Sequence, residues 1–324
     1  MHTISEYRDE FITYLNSKKI TKEPRNLYEP ITYILELGGK RLRPVLVLMT
    51  AEIFKTNYRK ALDAAVAIEV FHNFSLVHDD IMDDAPVRRG KTTVHEMWDI
   101  NTGILSGDAM LIMAYQLFEN YESNVFRDLA KLFSKTALEV CEGQQYDVDF
   151  ETRDDVIIPE YLKMIEYKTA VLVAAALKMG AIVAGASYEA QEQMYNFGLN
   201  LGIAFQLQDD YLDVFGDPEA FGKQVGGDII ENKKTYLYLK ALNFGSDVVS
   251  KELEHLYSIH PKETDAKVMA VRSIFEKTEA DKATQMAIVD YTVKAFDVLD
   301  KIDIEQENKD LLRQFGEDLM NRTV

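Results

Sequence analysis

Two short stretches of this chain carry more like charge than a helix tolerates without a reason. "HDDIMDD", residues 78 to 84, places Asp79, Asp80, Asp83 and Asp84 at the end of the apolar run "ALDAAVAIEVFHNFSLV". "QDDYLDV", residues 208 to 214, repeats the pattern with Asp209, Asp210 and Asp213. A helix C-terminus already carries partial negative charge, so each carboxylate there costs a few tenths of a kcal/mol, up to about 1. Two carboxylates ~4 Å apart repel by roughly 1 kcal/mol in water and about 4 at an effective dielectric of 20. The chemistry such a pair invites is a cation that cancels the charge.

Spacing narrows the cation. Asp79 and Asp83 are four apart and share a helix face, as do Asp209 and Asp213. At about 100° per residue, His72, Asp79 and Asp83 lie within roughly 20° of one line, and Gln206 precedes Asp209 and Asp213 on the same side. Carboxylate pairs without thiolates suit a hard divalent ion, Mg²⁺ or Mn²⁺, which keeps several waters and bridges to substrate phosphate. A solvated acidic helix end is the simpler account of one such cluster. Two clusters spaced alike, each closing a long apolar helix before a proline-containing loop (Pro86, Pro218), argue for the metal.

Fixed positive charge sits in the breaks between helices. Lys40, Arg41 and Arg43 lie in "GGKRLRP", Arg88, Arg89 and Lys91 in "VRRGK", and Lys223, Lys233 and Lys234 in "FGKQVGGDIIENKK". Arginine forks match phosphate oxygens bidentately. "GGKRLRP" is no P-loop, because it lacks the first glycine and the hydroxyl residue after the lysine. Each basic loop alone reads as a solvated turn. Beside the carboxylate pairs they form a consistent set: one diphosphate bridged by metal, a second held by arginine and lysine alone.

The elements that must position these groups read as helices. Segments 60–84, 104–121, 161–180, 187–215 and 279–301 have helical period, while strand-like alternation is nearly absent. Breaks fall at 36–44, 84–93, 152–160 and 215–228, none of them a Ser- or Gly-rich linker. The expectation is an all-α fold in a single domain over residues 1–324. The 324 residues, 47% of them hydrophobic, suffice for a large core. A net charge of −18 argues against a generally basic nucleic-acid surface and against passive adhesion to anionic membranes. The single cysteine, Cys141, rules out an internal disulfide and suits a reducing, cytoplasmic setting. The N-terminus lacks the pattern of a signal peptide. The most apolar window, 170–186, is short for a membrane span and carries Lys178, so it reads as a buried helix. Its small residues also suit close packing against a partner. The acidic stretch from about 244 onward carries no motif and reads as packing helices, a lid, or both.

Taken together, "DDIMD" followed by "RR", the later "QDDYLD", the opening "GGKRLRP" and the closing "GDIIENKKTYL" resemble the trans-isoprenyl diphosphate synthases, the polyprenyl synthetase family. The motifs run in family order from about residue 36 to 240. The resemblance implies a bundle of long helices around a deep central cavity, usually as a homodimer. It implies condensation of isopentenyl diphosphate with an allylic diphosphate (dimethylallyl, geranyl or farnesyl), with three Mg²⁺ ions bound between the two aspartate motifs and the allylic diphosphate. The allylic C–O bond ionises, the isopentenyl double bond attacks the cation, and a proton is lost to the departing pyrophosphate. By position, Asp79, Asp83 and Asp209 match direct metal ligands and Asp213 a more distant one. Arg88, Lys168, Lys223 and Lys233 match the allylic diphosphate site. Lys40, Arg43, His72 and Arg89 match the isopentenyl diphosphate site, and Thr169 and Gln206 the polar groups facing the carbocation.

In this family the residues four, five and eight positions before the first motif set product length, and here they are Ser75, Phe74 and Phe71. Two phenylalanines imply a floor and a product of fifteen or twenty carbons. The competing account makes both ordinary core residues. Three rival functions stand beside this reading. A terpene cyclase shares the fold, but its second motif departs from "DDYLD". A non-catalytic partner subunit loses aspartate motifs that are intact here. A di-iron bundle would use "EVFH" (69–72) and "ELEH" (252–255), leaving the basic loops without a role.

Overall fold

The computed structural model describes residues 1–18, 22–217 and 226–321. The all-α expectation holds: the strands among the described residues form one two-stranded ladder, β1 (Val87–Arg88) against β2 (Lys91–Thr92). The chain divides into two compact units, Met1–Lys135 with Ala175–Tyr195, and Thr136–Ala174 with Asn196–Val324.

The first unit contains α1 (Ile4–Ser17), α2 (Arg25–Glu36), α3 (Leu42–Ile53), α4 (Leu62–Met82), the short α5 (Val94–Met97), α6 (Ile100–Phe118) and the start of α7 (Ser123–Thr152). Every residue of α4 from Ala64 to Phe71 is buried. A helix apolar on all sides must be enclosed, and α4 packs on α6 and α3. Burying Ile68, Val70 or Phe71 contributes roughly 1.5–3 kcal/mol each. That anchor lets the last turn carry repelling aspartates. The helix ends at Met82, two residues earlier than the sequence suggests. Asp84 turns left-handed (φ 49°), and the N–H groups of Ala85 and Asp84 close back onto the carbonyls of Asp80 (2.9 Å) and Ile81 (3.4 Å), a Schellman termination.

The second unit holds the rest of α7, α8 (Ile158–Ile165), the start of α9 (Val171–Val183), most of α10 (Tyr188–Phe215), α11 (Gly227–Ile230), α12 (Tyr236–Phe244), α13 (Asp247–Leu256), α14 (Asp265–Lys277), α15 (Ala280–Leu299) and α16 (Gln306–Met320). Its core gathers Leu207, Ile229, Leu237, Leu253, Phe275 and Ile288. The C-terminal third is therefore packing helix. The small residues of α9 serve the chain's own interior: Ala174, Ala175, Ala176 and Leu177 have no exposed surface. They are not the partner-facing stripe that their size suggests. Large apolar side chains are exposed instead on α6, at Leu105 and Ile112.

Candidate active site

In the first unit, the basic loops of "GGKRLRP" and "VRRG" meet. Arg89 (φ 52°) and Gly90 (φ 73°) form the two-residue turn between β1 and β2, both left-handed as a type I′ hairpin demands. The Arg89 guanidinium donates to the carbonyl of Gly38 and lies against Gly39, where an added Cβ would stand 3.0 Å from Arg89 Cζ. Gly39 thus gives the guanidinium its seat. Arg43 lies next to His72, Nη1 to Nε2 3.3 Å. Burial, and then the charges of Arg43, Arg89, Arg88 and Arg41, hold the His72 imidazole well below its usual range, so it is neutral and can accept. Arg41 is turned inward. It is buried against Glu69 and the carbonyl of Leu35, which fixes the loop.

The first aspartate motif divides its labour. Asp80 is 1% exposed and accepts from Arg88, whose Nε lies 2.7 Å from Oδ1 and whose Nη2 also bonds to that oxygen. The same Nη2 is 3.5 Å from Asp79 Oδ2. Burial raises the Asp80 carboxyl while Arg88 pulls it back down. Asp79 is half-buried and Asp83 exposed. Phe71 stacks edge-on against Phe133 (5.1 Å) and near Phe74 (5.4 Å), and Phe74 meets the His78 ring at 4.8 Å. Ser75 donates to the carbonyl of His72.

In the second unit, α8 continues into α9 through a π-helical turn, Glu166–Ala170, which carries Lys168 and Thr169. Such turns widen a helix by one residue and often mark functional sites. Small residues make room for it: a Cβ on Gly143 would lie 2.2 Å from Lys168 N, and one on Gly202 2.7 Å from Ala170 Cα. Thr169 donates to Gln206 Oε1 (2.9 Å), Gln206 Nε2 donates to Asp210 Oδ1 (2.8 Å), and Tyr161 donates to Asp210 Oδ2. This chain fixes the Gln206 amide and spends the Thr169 proton inward, leaving hydroxyl lone pairs for an electron-poor ligand. Asp210 is 6% exposed, and burial pushes its carboxyl up to about 7 although Tyr161 and Gln206 both donate to it.

Lys168 pairs with Asp147 Oδ2 (2.6 Å), and Lys233 with Glu231 Oε2 (3.2 Å). Asp213 accepts the backbone N–H of Asp228 at 3.0 Å, so it caps the first turn of α11. A cavity of about 110 Å³ is lined by Lys168, Thr169, Gln206, Asp210, Asp228 and Lys233, among others. The second unit thus brings together Thr169 and Gln206, expected to face a carbocation, and Lys168 and Lys233, two of the lysines expected at the allylic diphosphate site.

The chain matches the polyprenyl synthetase family over residues 24–278. The geranylgeranyl diphosphate synthase of Methanosarcina mazei is 40% identical over 303 residues, covering 92% of this chain and 90% of that one. The geranylfarnesyl diphosphate synthase of Natronomonas pharaonis is 37% identical over 99% of this chain and 97% of its own. A crystal structure of a geranylgeranyl pyrophosphate synthase superposes with a TM-score of 0.96 at 56% identity, covering 99% of each chain.

This chain belongs to the polyprenyl synthetase family.

As a polyprenyl synthetase it is a prenyltransferase of the short-chain trans type, and its family is Mg²⁺-dependent. The donor set fits such an ion. In each motif the second aspartate, Asp80 or Asp210, is buried and taken up by protein donors. The remaining carboxylates, Asp79 and Asp83 in one motif and Asp209 and Asp213 in the other, offer oxygen alone and are at least partly accessible. Lys223, expected at the allylic site, lies outside the described residues. Sequence reading missed Asp147, Tyr161 and Asp228, which hold Lys168, Asp210 and Asp213 respectively. "GGD" was the one available signal, a glycine-rich turn ending in an acid; Asp147 and Tyr161 stand in ordinary helical pattern.

Proposed function

We propose that this prenyltransferase elongates an allylic diphosphate with isopentenyl diphosphate and stops at twenty carbons, acting as a homodimer. The observation that carries the product length is the 56% identity, over 99% of both chains, to a geranylgeranyl pyrophosphate synthase. Phe71 and Phe74 support it as a floor beneath the first motif, where Phe133 backs Phe71. The exposed Leu105 and Ile112 on α6 support a partner. The family match runs across both units, which supports one catalytic domain.

In this reading Mg²⁺, three ions in the family's manner and replaceable by Mn²⁺, is held by Asp79, Asp83, Asp209 and, less directly, Asp213; when bound it stabilises charge on the departing diphosphate. Arg88, Lys168, Lys223 and Lys233 hold the allylic diphosphate, and Lys40, Arg43, Arg89 and neutral His72 the isopentenyl diphosphate. The Thr169 and Gln206 oxygens face the allylic carbocation, fixed beforehand by Asp210.

The test is to size the products made with Mg²⁺, isopentenyl diphosphate and each allylic primer from five to fifteen carbons. Twenty-carbon product from wild type, and longer products from Phe74→Ala, are expected. Product beyond twenty carbons from wild type would discard the floor, and release of a cyclic hydrocarbon would discard the synthase.

A further inference from the structure

A cluster at the end of the first aspartate motif is not used by the prenyl transfer proposed above. Asp84, His95 and Glu96 each present a ligand atom, and these atoms lie within 4.8 Å of one another. The His95 side chain is 4% exposed, and its Nε2 is 3.9 Å from Glu96 Oε1. Neither ring nitrogen of His95 has a hydrogen-bond partner among the described residues. A buried imidazole left this way is costly, by ~1–3 kcal/mol for an unmade hydrogen bond.

We propose that Asp84, His95 and Glu96 bind a second class of divalent ion, Zn²⁺ or a close transition-metal relative, at the neck of the loop that carries Arg88 and Arg89. One imidazole and two carboxylates are the ligands of a borderline ion, not of Mg²⁺, which disfavours nitrogen. Tetrahedral bonds of ~2.0–2.1 Å place ligand atoms about 3.3 Å apart. The closing movement from the observed spacing falls to Asp84 and Glu96, both exposed and able to turn. The loop between Asp84 and His95 is already tied at its base by Thr93, which bonds through Oγ1 to the Ala85 carbonyl (2.7 Å) and through N to the Pro86 carbonyl (3.2 Å). An ion there would add a cross-link across the same neck and stiffen the hairpin bearing both arginines.

The experiment is equilibrium dialysis of the chelator-treated full chain against Zn²⁺ in millimolar Mg²⁺, with Co²⁺ absorption as a report of nitrogen ligation. One Zn²⁺ per chain is expected, accompanied by a rise in Tm. Asp84→Asn combined with Glu96→Gln, both at exposed positions and both isosteric, should weaken Zn²⁺ binding at least tenfold and abolish the rise in Tm. The Asp79→Asn, Asp209→Asn double variant should retain the ion. The proposal is overturned if Zn²⁺ is not retained against Mg²⁺, if the Asp84/Glu96 variant binds as wild type does, or if the ion is lost with Asp79 and Asp209. Because the readout is metal content, a failure here leaves the prenyltransferase reading untouched.

Discussion

The two aspartate motifs use the same spacing and solve the same problem with different chemistry. In the first, the buried Asp80 is neutralised by a full positive charge, Arg88. In the second, the buried Asp210 is held by two neutral donors, Tyr161 and Gln206. A charged partner allows Asp80 to stay ionised and ties an expected substrate-binding arginine to the motif. Neutral partners leave more of the desolvation cost in place and pass orientation to Gln206 and Thr169 instead. In the proposed mechanism, one motif therefore organises the leaving-group side of the reaction and the other the carbocation side.

This division of labour is open to measurement. The largest effect should come from what the motifs share. Asp79→Ala and Asp209→Ala should each lower kcat/KM by about 10³-fold or more, several kcal/mol of transition-state stabilisation. A large loss in only one would mean that the motifs do not contribute alike. Next come the buried members. Asp80→Asn should raise KM for the allylic substrate about tenfold by loosening Arg88, and a double-mutant cycle with Arg88→Lys should give a coupling of about 1–2 kcal/mol. Asp210→Asn should act mainly on kcat, through Gln206; equal KM effects from both substitutions would erase the distinction between the motifs. Gly143→Ala, whose Cβ would strike the backbone of the π turn, should cost about 2 kcal/mol in urea unfolding and lower kcat with it.

The smallest effect concerns pH. His72 has a folded-state pKa below its unfolded value near 6.5. Below that pH the unfolded chain gains a proton that the folded chain refuses, so stability falls on acidification. His72→Gln should flatten the stability profile between about pH 6.5 and 5. An unchanged profile would show that the imidazole is not held neutral.

Most of the helical frame was legible because α4 and α10 combine long apolar runs with clear stops. The aspartate pairs and basic loops stand out for a related reason: placing like charges together is costly, so their repetition signals a function. Other features were hidden. The β1–β2 hairpin is too short for a periodic signal, and only the positive φ of Arg89 and Gly90 reveals its turn. The inward turn of Arg41 depends on Glu69, 28 positions away. The helix end at Met82 results from a left-handed Asp84, a conformation aspartate tolerates but does not announce. Which aspartate of each motif is buried depends on partners outside it, Arg88 in one case and Tyr161 in the other.

The π turn at Glu166–Ala170 has a consequence for how this site can change by insertion and deletion. A π turn is an α-helix with one residue too many. Losing a single codon there would let the segment rewind as ordinary α-helix while α8 and α9 kept their places. Lys168 and Thr169 would leave the cavity while nearly every other contact in the chain stayed in place. The reading frame of one helix, rather than the identity of any side chain, is then what keeps these two residues pointed at the chemistry.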